Sequence, residues 1–260
     1  MLAGKSALVT GSTSGIGFAV AEALARAGCN IVLNGFGEPD EIEDARRRLE
    51  SDFGVRALHH GADLAKPDEI TVLVETANRA FGTVDVVVNN AVVRHFAPID
   101  EFPVARWDRS LAVNLSAAFH TVRLTLPGMR RRNWGRIVNM SSGYGFFAAA
   151  NRVDYVTTKT ALLGFTRAVA VETARHDITC NALCPGTVLT PAIEARIQAV
   201  VDSEGMSREE AVEQYLAARQ PSGRFVSAEN VAGLVLFLCG PAGRDITGAA
   251  LPIDGGWTAS

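Results

Sequence analysis

Hydrophobic residues recur along the chain in two alternating patterns. Short runs rich in β-branched residues are separated by longer stretches in which apolar residues return every three or four positions. The short runs predict strands at residues 7–10, 31–34, 55–59, 84–89, 136–140, 178–183 and 250–253. The longer stretches predict helices at residues 16–27, 38–52, 68–81, 103–131, 155–175 and 228–238. Strands that alternate with helices indicate a parallel sheet with helices on both faces.

The fourth predicted strand is almost continuously apolar, which is typical of a strand buried on both faces at the centre of such a sheet. We therefore predict a single α/β domain over residues 1–260, with a Rossmann-type doubly wound parallel sheet of seven strands. In these sheets ligands bind beyond the carboxyl ends of the strands. Residues 187–222 interrupt the alternation with two helical patterns and no strand, and predict a helical insertion near the site that could act as a lid.

Composition excludes several classes of function. The chain has 260 residues, 48% of them hydrophobic, which is enough for one large core. The chain has 25 Lys and Arg residues and 28 Asp and Glu residues, and its basic residues form no stripe along the sequence. We therefore expect no nucleic-acid partner. With no leader-like start and no apolar run of about 20 residues, we expect a cytoplasmic protein without a membrane partner. The four cysteines lack metal-ligand spacing and predict buried thiols and no metal site.

A glycine-rich segment lies between the first predicted strand and the first predicted helix. Glycine allows a tight turn and a close approach of the backbone, and a helix N-terminus attracts the pyrophosphate of a dinucleotide. An ordinary glycine-rich turn is the alternative. The candidate cofactor-binding residues in this segment are Gly11, Thr13, Ser14, Gly15, Ile16 and Gly17.

The spacing Gly-x-x-x-Gly-x-Gly resembles that of the short-chain dehydrogenase/reductase family, and further matches extend the resemblance over the whole chain. These matches, in order, are Asn89-Asn90-Ala91, Asn114, Ser142, Tyr155, Lys159, Pro185-Gly186 and Asp254-Gly255-Gly256. The resemblance implies a nicotinamide-dependent oxidoreductase that forms a homotetramer. One departure is Val92, where the family usually has glycine. Because valine resists positive φ, either the backbone there is ordinary or the wall of the nicotinamide pocket is altered.

The residues after the second strand bear on cofactor choice. NAD users often carry Asp there and NADP users often carry Arg. Residues 34–37 contain neither, and no Lys or Arg lies in residues 10–17 or 34–37, so NAD is favoured over NADP. By resemblance, the other cofactor contacts are Phe36, Asp63, Leu64, Asn90, Tyr155, Lys159, Pro185, Gly186 and Val188. The alternative for Asp63 is that its side chain only caps a turn and does not contact the cofactor.

Tyr155 and Lys159 are four residues apart in a predicted helix, so their side chains share one face. An isolated tyrosine titrates near 10, and a neighbouring ammonium favours its phenolate, which can take the proton of an alcohol. The resemblance implies that Ser142 stabilises the substrate oxygen and that Asn114 holds a water that relays protons. Ser141 is the competitor for the role of Ser142.

Within the family, several stretches resemble bacterial D-3-hydroxybutyrate dehydrogenases, including residues 32–37, 114–117 and 254–259. All five positions that contact substrate in those enzymes differ in this chain. Where those enzymes carry Gln, His, Lys, Trp and Gln, this chain carries Arg94, Tyr144, Arg152, Thr187 and Arg196.

Three guanidinium groups favour a small anionic substrate, which could be a hydroxy acid, a sugar acid or a hydroxylated sulfonate. The alternative for Arg152 and Arg196 is that they point to solvent. Two other functions stay open: a dehydrogenase or reductase of a neutral sugar or cyclic alcohol, and a dinucleotide-sensing regulatory protein. Such sensors often lack the catalytic tyrosine or lysine, whereas Tyr155 and Lys159 are both present here.

Overall fold

The computed structural model describes residues 2–260, and at its centre is a parallel sheet in the order β3-β2-β1-β4-β5-β6-β7. The strands are β1 (Ser6–Val9), β2 (Asn30–Asn34), β3 (Ala57–His60), β4 (Val86–Asn89), β5 (Gly135–Met140), β6 (Ile178–Pro185) and β7 (Ala250–Ile253). All seven predicted strands are present, and the doubly wound α/β prediction is confirmed. The strand order reverses between β1 and β4, so a crevice opens at their carboxyl ends.

The continuous apolar character of β4 reflects burial on both faces of the sheet. Val86, Val87 and Val88 are all fully buried. Val86 and Val88 pack into the cluster that contains Leu24 of the first helix, whereas Val87 packs into the cluster on the opposite face. Because each face needs apolar side chains, the strand cannot alternate between apolar and polar positions.

The described residues 2–260 contain nine α-helices. They are α1 (Gly15–Arg26), α2 (Pro39–Phe53), α3 (Pro67–Phe81), α4 (Val104–Leu111), α5 (Ala117–Arg132), α6 (Val153–Thr173), α7 (Pro191–Glu204), α8 (Arg208–Leu216) and α9 (Ala228–Cys239). Local sequence sets several of their ends. Both α2 and α3 begin with proline followed by two acidic residues, and end at Gly54 and Gly82, whose φ values are positive.

The prediction of one continuous helix at residues 103–131 is wrong, because the helix is interrupted. The structure divides it into α4, a π-helical turn at Ala112–Ser116 and α5. A π turn contains one extra residue, and the periodicity of apolar positions does not reveal it. The turn carries Asn114, whose side chain bonds to the backbone of another segment. The irregularity therefore coincides with a predicted site residue.

The segment predicted as a helical insertion contains α7 and α8 and lies between β6 and α9. Across residues 2–260, no helix is both long enough and apolar enough to cross a membrane. The four cysteines are buried and unpaired, and burial raises the pKa of the Cys29 thiol to about 12. Within that same range, His, Cys, Asp and Glu side chains form no group of three that could hold a metal ion.

Candidate active site

A cavity of about 770 Å³ lies at the carboxyl ends of the strands. It extends from the glycine-rich segment before α1 to the first turns of α6 and the insertion. Every predicted cofactor-binding residue lines it, as do all the predicted substrate-binding residues except Arg196. Of the four predicted catalytic residues, Ser142, Tyr155 and Lys159 line it and Asn114 lies behind its wall.

The glycine-rich segment brings bare backbone to the cavity. The first N–H groups of a helix have no acceptor within that helix, and the side chain of Ser14, which precedes α1, makes no capping hydrogen bond. A Cβ atom at Gly17 would overlap the carbonyl oxygen of Gly11 and come within 2.6 Å of Nδ2 of Asn90. The uncapped helix N-terminus on the wall of the cavity fits the pyrophosphate of a dinucleotide.

Asn90 and Thr10 connect the carboxyl ends of β4 and β1. Nδ2 of Asn90 donates to the carbonyl oxygens of Thr10 and Gly11 at 3.0 and 2.8 Å. The hydroxyl of Thr10 accepts from the backbone N–H groups of Asn90 and Ala91 at 2.9 and 3.1 Å. These bonds hold the glycine-rich segment in place, since the strands on both sides of the crevice support it.

Val92 adopts an ordinary backbone conformation. The non-glycine residues with positive φ, in the range that the structure describes, are Asn133 and Asn151. The isopropyl group of Val92 lines the cavity and is about one-third exposed. Of the two alternatives left by the sequence, the backbone therefore stays ordinary, and a valine side chain is added to the wall.

Asp63 lies at the end of the cavity near β2 and β3 and is already paired. Its carboxylate accepts from the N–H of Ala65 at 3.0 Å and from the guanidinium of Arg109 at two contacts of 3.3 Å. The Ala65 hydrogen bond and the charge of Arg109 lower the pKa of Asp63. Asp63 thus caps its turn and also lines the cavity. Arg109 lines the cavity as well and was not predicted from the sequence.

Asn34, at the end of β2, is occupied within the sheet. Its Nδ2 donates to the carbonyl oxygens of His60 and Ala62 at 3.0 and 3.1 Å. Phe36, two residues later, is 64% exposed at the mouth of the cavity. This end of the cavity therefore offers a dinucleotide an aromatic surface, and residues 34–37 supply no cation.

A second cavity of about 440 Å³ adjoins Phe36 and contains Arg46. The guanidinium of Arg46 forms ion pairs with Glu43 at 2.8 Å and Glu50 at 2.7 Å. Hydrogen bonds from Arg46 and Arg47 lower the pKa of Glu43 to about 2. The positive charge of Arg46 is therefore neutralised within α2.

Tyr155 and Lys159 lie one turn apart on α6, and both are buried. Nζ of Lys159 lies 5.5 Å from the centroid of the Tyr155 ring and donates to the carbonyl oxygen of Met140 at 2.6 Å. Burial alone would raise the pKa of Tyr155, but the charges of Lys159 and Arg94 and a hydrogen bond from Ser142 outweigh burial and lower that pKa. The geometry therefore favours the phenolate.

Two further contacts position these side chains. The fully buried carboxylate of Asp154 accepts from the N–H of Tyr155 and from the hydroxyl of Ser110 on α4, each at 2.6 Å. The hydroxyl of Ser141 donates to the carbonyl oxygen of Lys159 at 2.8 Å. Ser141 is thus bound to α6, whereas Ser142 lies beside Tyr155. The role of Asp154 was missed because a buried carboxylate cannot be recognised from sequence alone.

Asn114 faces the chain segment that follows β4. Its Oδ1 accepts from the N–H of Val93 at 2.8 Å, and its Nδ2 donates to the carbonyl oxygen of Val93 at 2.9 Å and contacts Thr158 at 3.4 Å. These two bonds to the backbone of one residue fix the segment that carries Arg94. Asn114 therefore supports the cavity wall from behind.

Arginine and aromatic side chains form the end of the cavity beyond Tyr155. Nη2 of Arg94 lies 3.5 Å from the Tyr155 hydroxyl, and its guanidinium lies 5.0 Å from the centroid of that ring. The guanidinium of Arg152 lies 4.3 Å from the Phe96 ring and 5.1 Å from the Tyr144 ring. Tyr144 in turn packs edge-on against Trp257 at 5.0 Å. Thr187 lines the cavity as well.

One arginine of the cavity was not predicted, and one predicted arginine does not line it. Arg196 is exposed on α7, away from the cavity, whereas Arg219 after α8 lines it together with Tyr215 and Trp257. Arg219 lies inside the segment predicted to be near the site, but no motif distinguishes it from its neighbours. For Trp257, which also lines the cavity, the signal available in the sequence was the apolar run at residues 251–257.

Comparisons with known proteins agree with this arrangement. A family profile described as enoyl-(acyl carrier protein) reductase matches residues 11–258. The D-beta-hydroxybutyrate dehydrogenase of Cupriavidus necator is 45% identical over 100% of both chains, and that of Rhizobium meliloti is 44% identical over 98% of this chain and 99% of its own. A structure of L-sorbose reductase from Gluconobacter frateurii, complexed with NADPH and L-sorbose, superposes with a TM-score of 0.92 at 32% identity, covering 99% of this chain and 98% of that one.

The doubly wound sheet, the glycine-rich segment at its crevice and these full-length similarities agree with one another. The resemblance noted in the sequence is thereby confirmed. The chain belongs to the short-chain dehydrogenase/reductase family, whose members are oxidoreductases that act on hydroxyl groups with a nicotinamide cofactor.

Proposed function

We propose that this protein is an NAD-dependent dehydrogenase that interconverts a secondary hydroxyl and a ketone on a small anionic substrate. The substrate class is a 3-hydroxy acid such as 3-hydroxybutyrate, a sugar acid or a hydroxylated sulfonate. The observation that carries the proposal is the position of the Tyr155 hydroxyl, which faces the cavity near two cations, Lys159 and Arg94.

Tyr155 is the general base for oxidation and the general acid for reduction. As phenolate it accepts the hydroxyl proton while the carbon–hydrogen bond breaks. Lys159 lowers the pKa of Tyr155, and its ammonium holds the cofactor ribose. Ser142 donates a hydrogen bond to the substrate oxygen, where negative charge builds up in the transition state. A bound NAD supplies the hydride acceptor.

Asn114 has two roles in this proposal. Its bonds to Val93 hold the segment that carries Arg94. An amide oxygen has two lone pairs, and Oδ1 uses one of them for the Val93 N–H. The other is available for the water through which protons would pass to Lys159.

The preference for NAD rests on charge near Phe36. Recognition of a 2′-phosphate needs a free cation, and residues 34–37 have none. Arg46 lines the adjoining cavity, but Glu43 and Glu50 neutralise it. The structurally similar L-sorbose reductase was solved with NADPH, so both cofactors belong in the assay.

The preference for an anion rests on Arg94 and Arg152. Both line the cavity, and neither forms a salt bridge with a carboxylate anywhere in the described residues. The guanidinium of Arg152 is partly buried, and this burial lowers its pKa. A substrate carboxylate or sulfonate would restore its hydrogen bonds in bidentate geometry.

The assembly we propose is a homotetramer. Phe119 on α5 and Val171 on α6 are 49% and 79% exposed, which leaves apolar surface on the long helices for subunit packing. Sedimentation equilibrium should give four times the chain mass of 27.6 kDa. A monomer across the concentration range would contradict it.

The function is tested by initial rates of reduced-cofactor formation with NAD or NADP. The panel is D-3-hydroxybutyrate, larger carboxylates, hydroxylated sulfonates and neutral sugars, with the Tyr155→Phe variant as control. We expect NAD reduction with at least one anion and none with the variant. Turnover of neutral sugars alone would favour a sugar dehydrogenase instead. Cofactor binding without turnover of any compound would favour a sensor.

A further inference from the structure

Three guanidinium groups line the substrate end of the cavity without a carboxylate partner. They belong to Arg94, Arg152 and Arg219, and no ion pair in the part of the chain that the structure describes involves any of them. Arg109, which lines the cofactor end of the same cavity, is paired with Asp63. Within this cavity the arginines without an ion pair are therefore those of the substrate end, and Arg219 has no role in the function proposed above.

Arg94 and Arg152 meet at Tyr155. Their guanidinium groups lie 5.0 and 5.9 Å from the centroid of the Tyr155 ring, and Nη2 of Arg94 lies 3.5 Å from its hydroxyl. Arg219 lines the same cavity and lies 5.5 Å from the centroid of the Tyr215 ring. The positive charges of Arg94 and Arg219 both lower the pKa of Arg152, so three positive charges share this end of the cavity.

Aromatic rings hold two of these groups in place. Arg152 packs over Phe96 and Tyr144, and Arg219 packs over Tyr215. A ring that covers the face of a guanidinium leaves the N–H groups at its edge free to donate. Carboxylates and phosphates bind such edges with two parallel hydrogen bonds.

Like charges in one cavity repel one another, and a bound anion relieves that repulsion. No carboxylate of the described residues pairs with these arginines, and one substrate carboxylate has only two oxygens for three guanidinium groups. We propose that the substrate is a hydroxydicarboxylate or an equivalent dianion, and that Arg219 is a specificity-determining residue that binds its second anionic group. This inference rests on the function proposed above.

In this proposal the first anionic group binds Arg94 and Arg152, and the second binds Arg219. In the oxidation, the hydroxyl proton passes to Tyr155, and the carbon-bound hydrogen leaves with its electron pair to NAD. A hydroxy diacid thereby becomes an oxo diacid, and NAD becomes NADH. Neither carboxylate changes during the reaction.

The test compares three probes by the rate of NADH formation: D-3-hydroxybutyrate, 3-hydroxyglutarate and the racemic monomethyl ester of 3-hydroxyglutarate. The diacid and its half-ester share one carbon chain and differ by one charge, so their ratio separates charge from length. We expect kcat/KM for the diacid to exceed that for the half-ester by about tenfold or more, the effect of one charged hydrogen-bonded contact.

Arg219→Gln should lower kcat/KM for the diacid by about the same factor, mainly through KM, and leave the half-ester nearly unchanged. Arg208→Gln is the matched control, because Arg208 belongs to the same insertion but is exposed and paired with Glu194 outside the cavity. Arg208→Gln should leave kcat/KM unchanged for both substrates. The ratio of kcat/KM for the diacid to kcat/KM for the half-ester is measured in the unmodified enzyme. It therefore tests the dianion proposal even if Arg219→Gln folds poorly.

Equal kcat/KM values for diacid and half-ester, or an equal loss for both in Arg219→Gln, would overturn the dianion proposal. If D-3-hydroxybutyrate is still oxidised in that case, the proposed function survives. If NAD is reduced with none of the three probes, nor with the sulfonates and sugar acids of the wider panel, the proposed function fails and the dianion proposal fails with it.

Discussion

At the proposed cofactor end of the cavity, glycines and an uncapped helix N-terminus bring backbone to the wall, whereas arginine and aromatic side chains line the proposed substrate end. At the cofactor end, Gly11 and the uncapped N-terminus of α1 lie on the wall. Two polar side chains there already have partners within the protein: Asn90 bonds to the backbone of β1 and the adjoining turn, and Asp63 is paired with Arg109. The shape of the cofactor end is therefore set by the position of the strands that support it.

At the substrate end, no carboxylate of the described chain pairs with Arg94, Arg152 or Arg219. A backbone wall is retained wherever the fold is retained, whereas a wall of side chains can change one residue at a time. The 45% identity to a D-beta-hydroxybutyrate dehydrogenase therefore supports dinucleotide chemistry more strongly than it supports any one substrate.

Tyr155→Phe should produce the largest effect, because it removes the proton acceptor without altering either wall. We expect kcat to fall by about 10²–10⁴-fold, the usual contribution of a general acid or base. Affinity for NADH, measured by fluorescence titration, should stay within about twofold, because the hydroxyl is a small part of the cofactor contact. Retained turnover would contradict the assignment of Tyr155.

Gly17→Ala should break the cofactor end alone. The added Cβ would overlap the carbonyl oxygen of Gly11, and relief of the overlap moves the helix N-terminus. We expect a loss of about 1–3 kcal/mol in the free energy of unfolding and a weakening of NADH binding by about tenfold or more.

Gly233→Ala is the control for that variant, because a Cβ on this helical glycine of α9 meets open space. It should stabilise the protein by about 0.5–1 kcal/mol and leave NADH binding unchanged. Equal melting temperatures and equal NADH affinities for the two variants would contradict the close approach at Gly17.

Arg94→Gln should shift the pH dependence of turnover. The cationic groups facing Tyr155 are Lys159 on its own helix, Arg94 on the segment after β4 and Arg152 before α6. Arg94 lowers the pKa of Tyr155, so its loss raises that pKa and moves the rising limb of the kcat profile to higher pH.

A rise of one unit would cost about tenfold in rate at neutral pH, and the rate would recover at alkaline pH. The neutral substrate (R)-2-butanol keeps anion binding out of this measurement. Arg152→Gln should shift the profile less, because Arg152 lies 5.9 Å from the Tyr155 ring whereas Arg94 reaches the hydroxyl. Superimposable profiles for Arg94→Gln and the unmodified enzyme would exclude this role.

Glu43→Gln should have the smallest effect and concerns cofactor choice. It removes one of the two carboxylates that neutralise Arg46 beside Phe36. An exposed ion pair is worth at most about 1 kcal/mol, so kcat/KM for NADP should rise by about fivefold at most, while that for NAD stays constant. A parallel change for both cofactors would mean that this cavity does not face the ribose.

The fold could be predicted almost completely, because the apolar patterns of β1, β4 and α1 depend on burial against both faces of one sheet. The π turn at Ala112–Ser116 could not, since it is held by bonds from Asn114 to Val93, and these residues are distant in sequence. The conformation of Val92 was likewise left open by sequence and is fixed by its surroundings.

The site divides in the same way as the cavity. The sequence predicted which residues of the glycine-rich segment line the cavity, because glycine spacing determines a backbone shape. At the substrate end, alignment to related enzymes indicated Arg196, whereas the structure brings Arg219 to the cavity. Which arginine faces inward depends on how α7 and α8 pack, and no local motif encodes that packing.

The most direct test of the contrast between the two ends compares D-3-hydroxybutyrate with (R)-2-butanol, which has a methyl group in place of the carboxylate. The measurement is kcat/KM with saturating NAD, in the unmodified enzyme and in the Arg94→Gln/Arg152→Gln double variant. We predict that the unmodified enzyme prefers the acid by on the order of 10²-fold and that the double variant loses this preference at unchanged KM for NAD. An undiminished preference for the acid in the double variant would contradict the account.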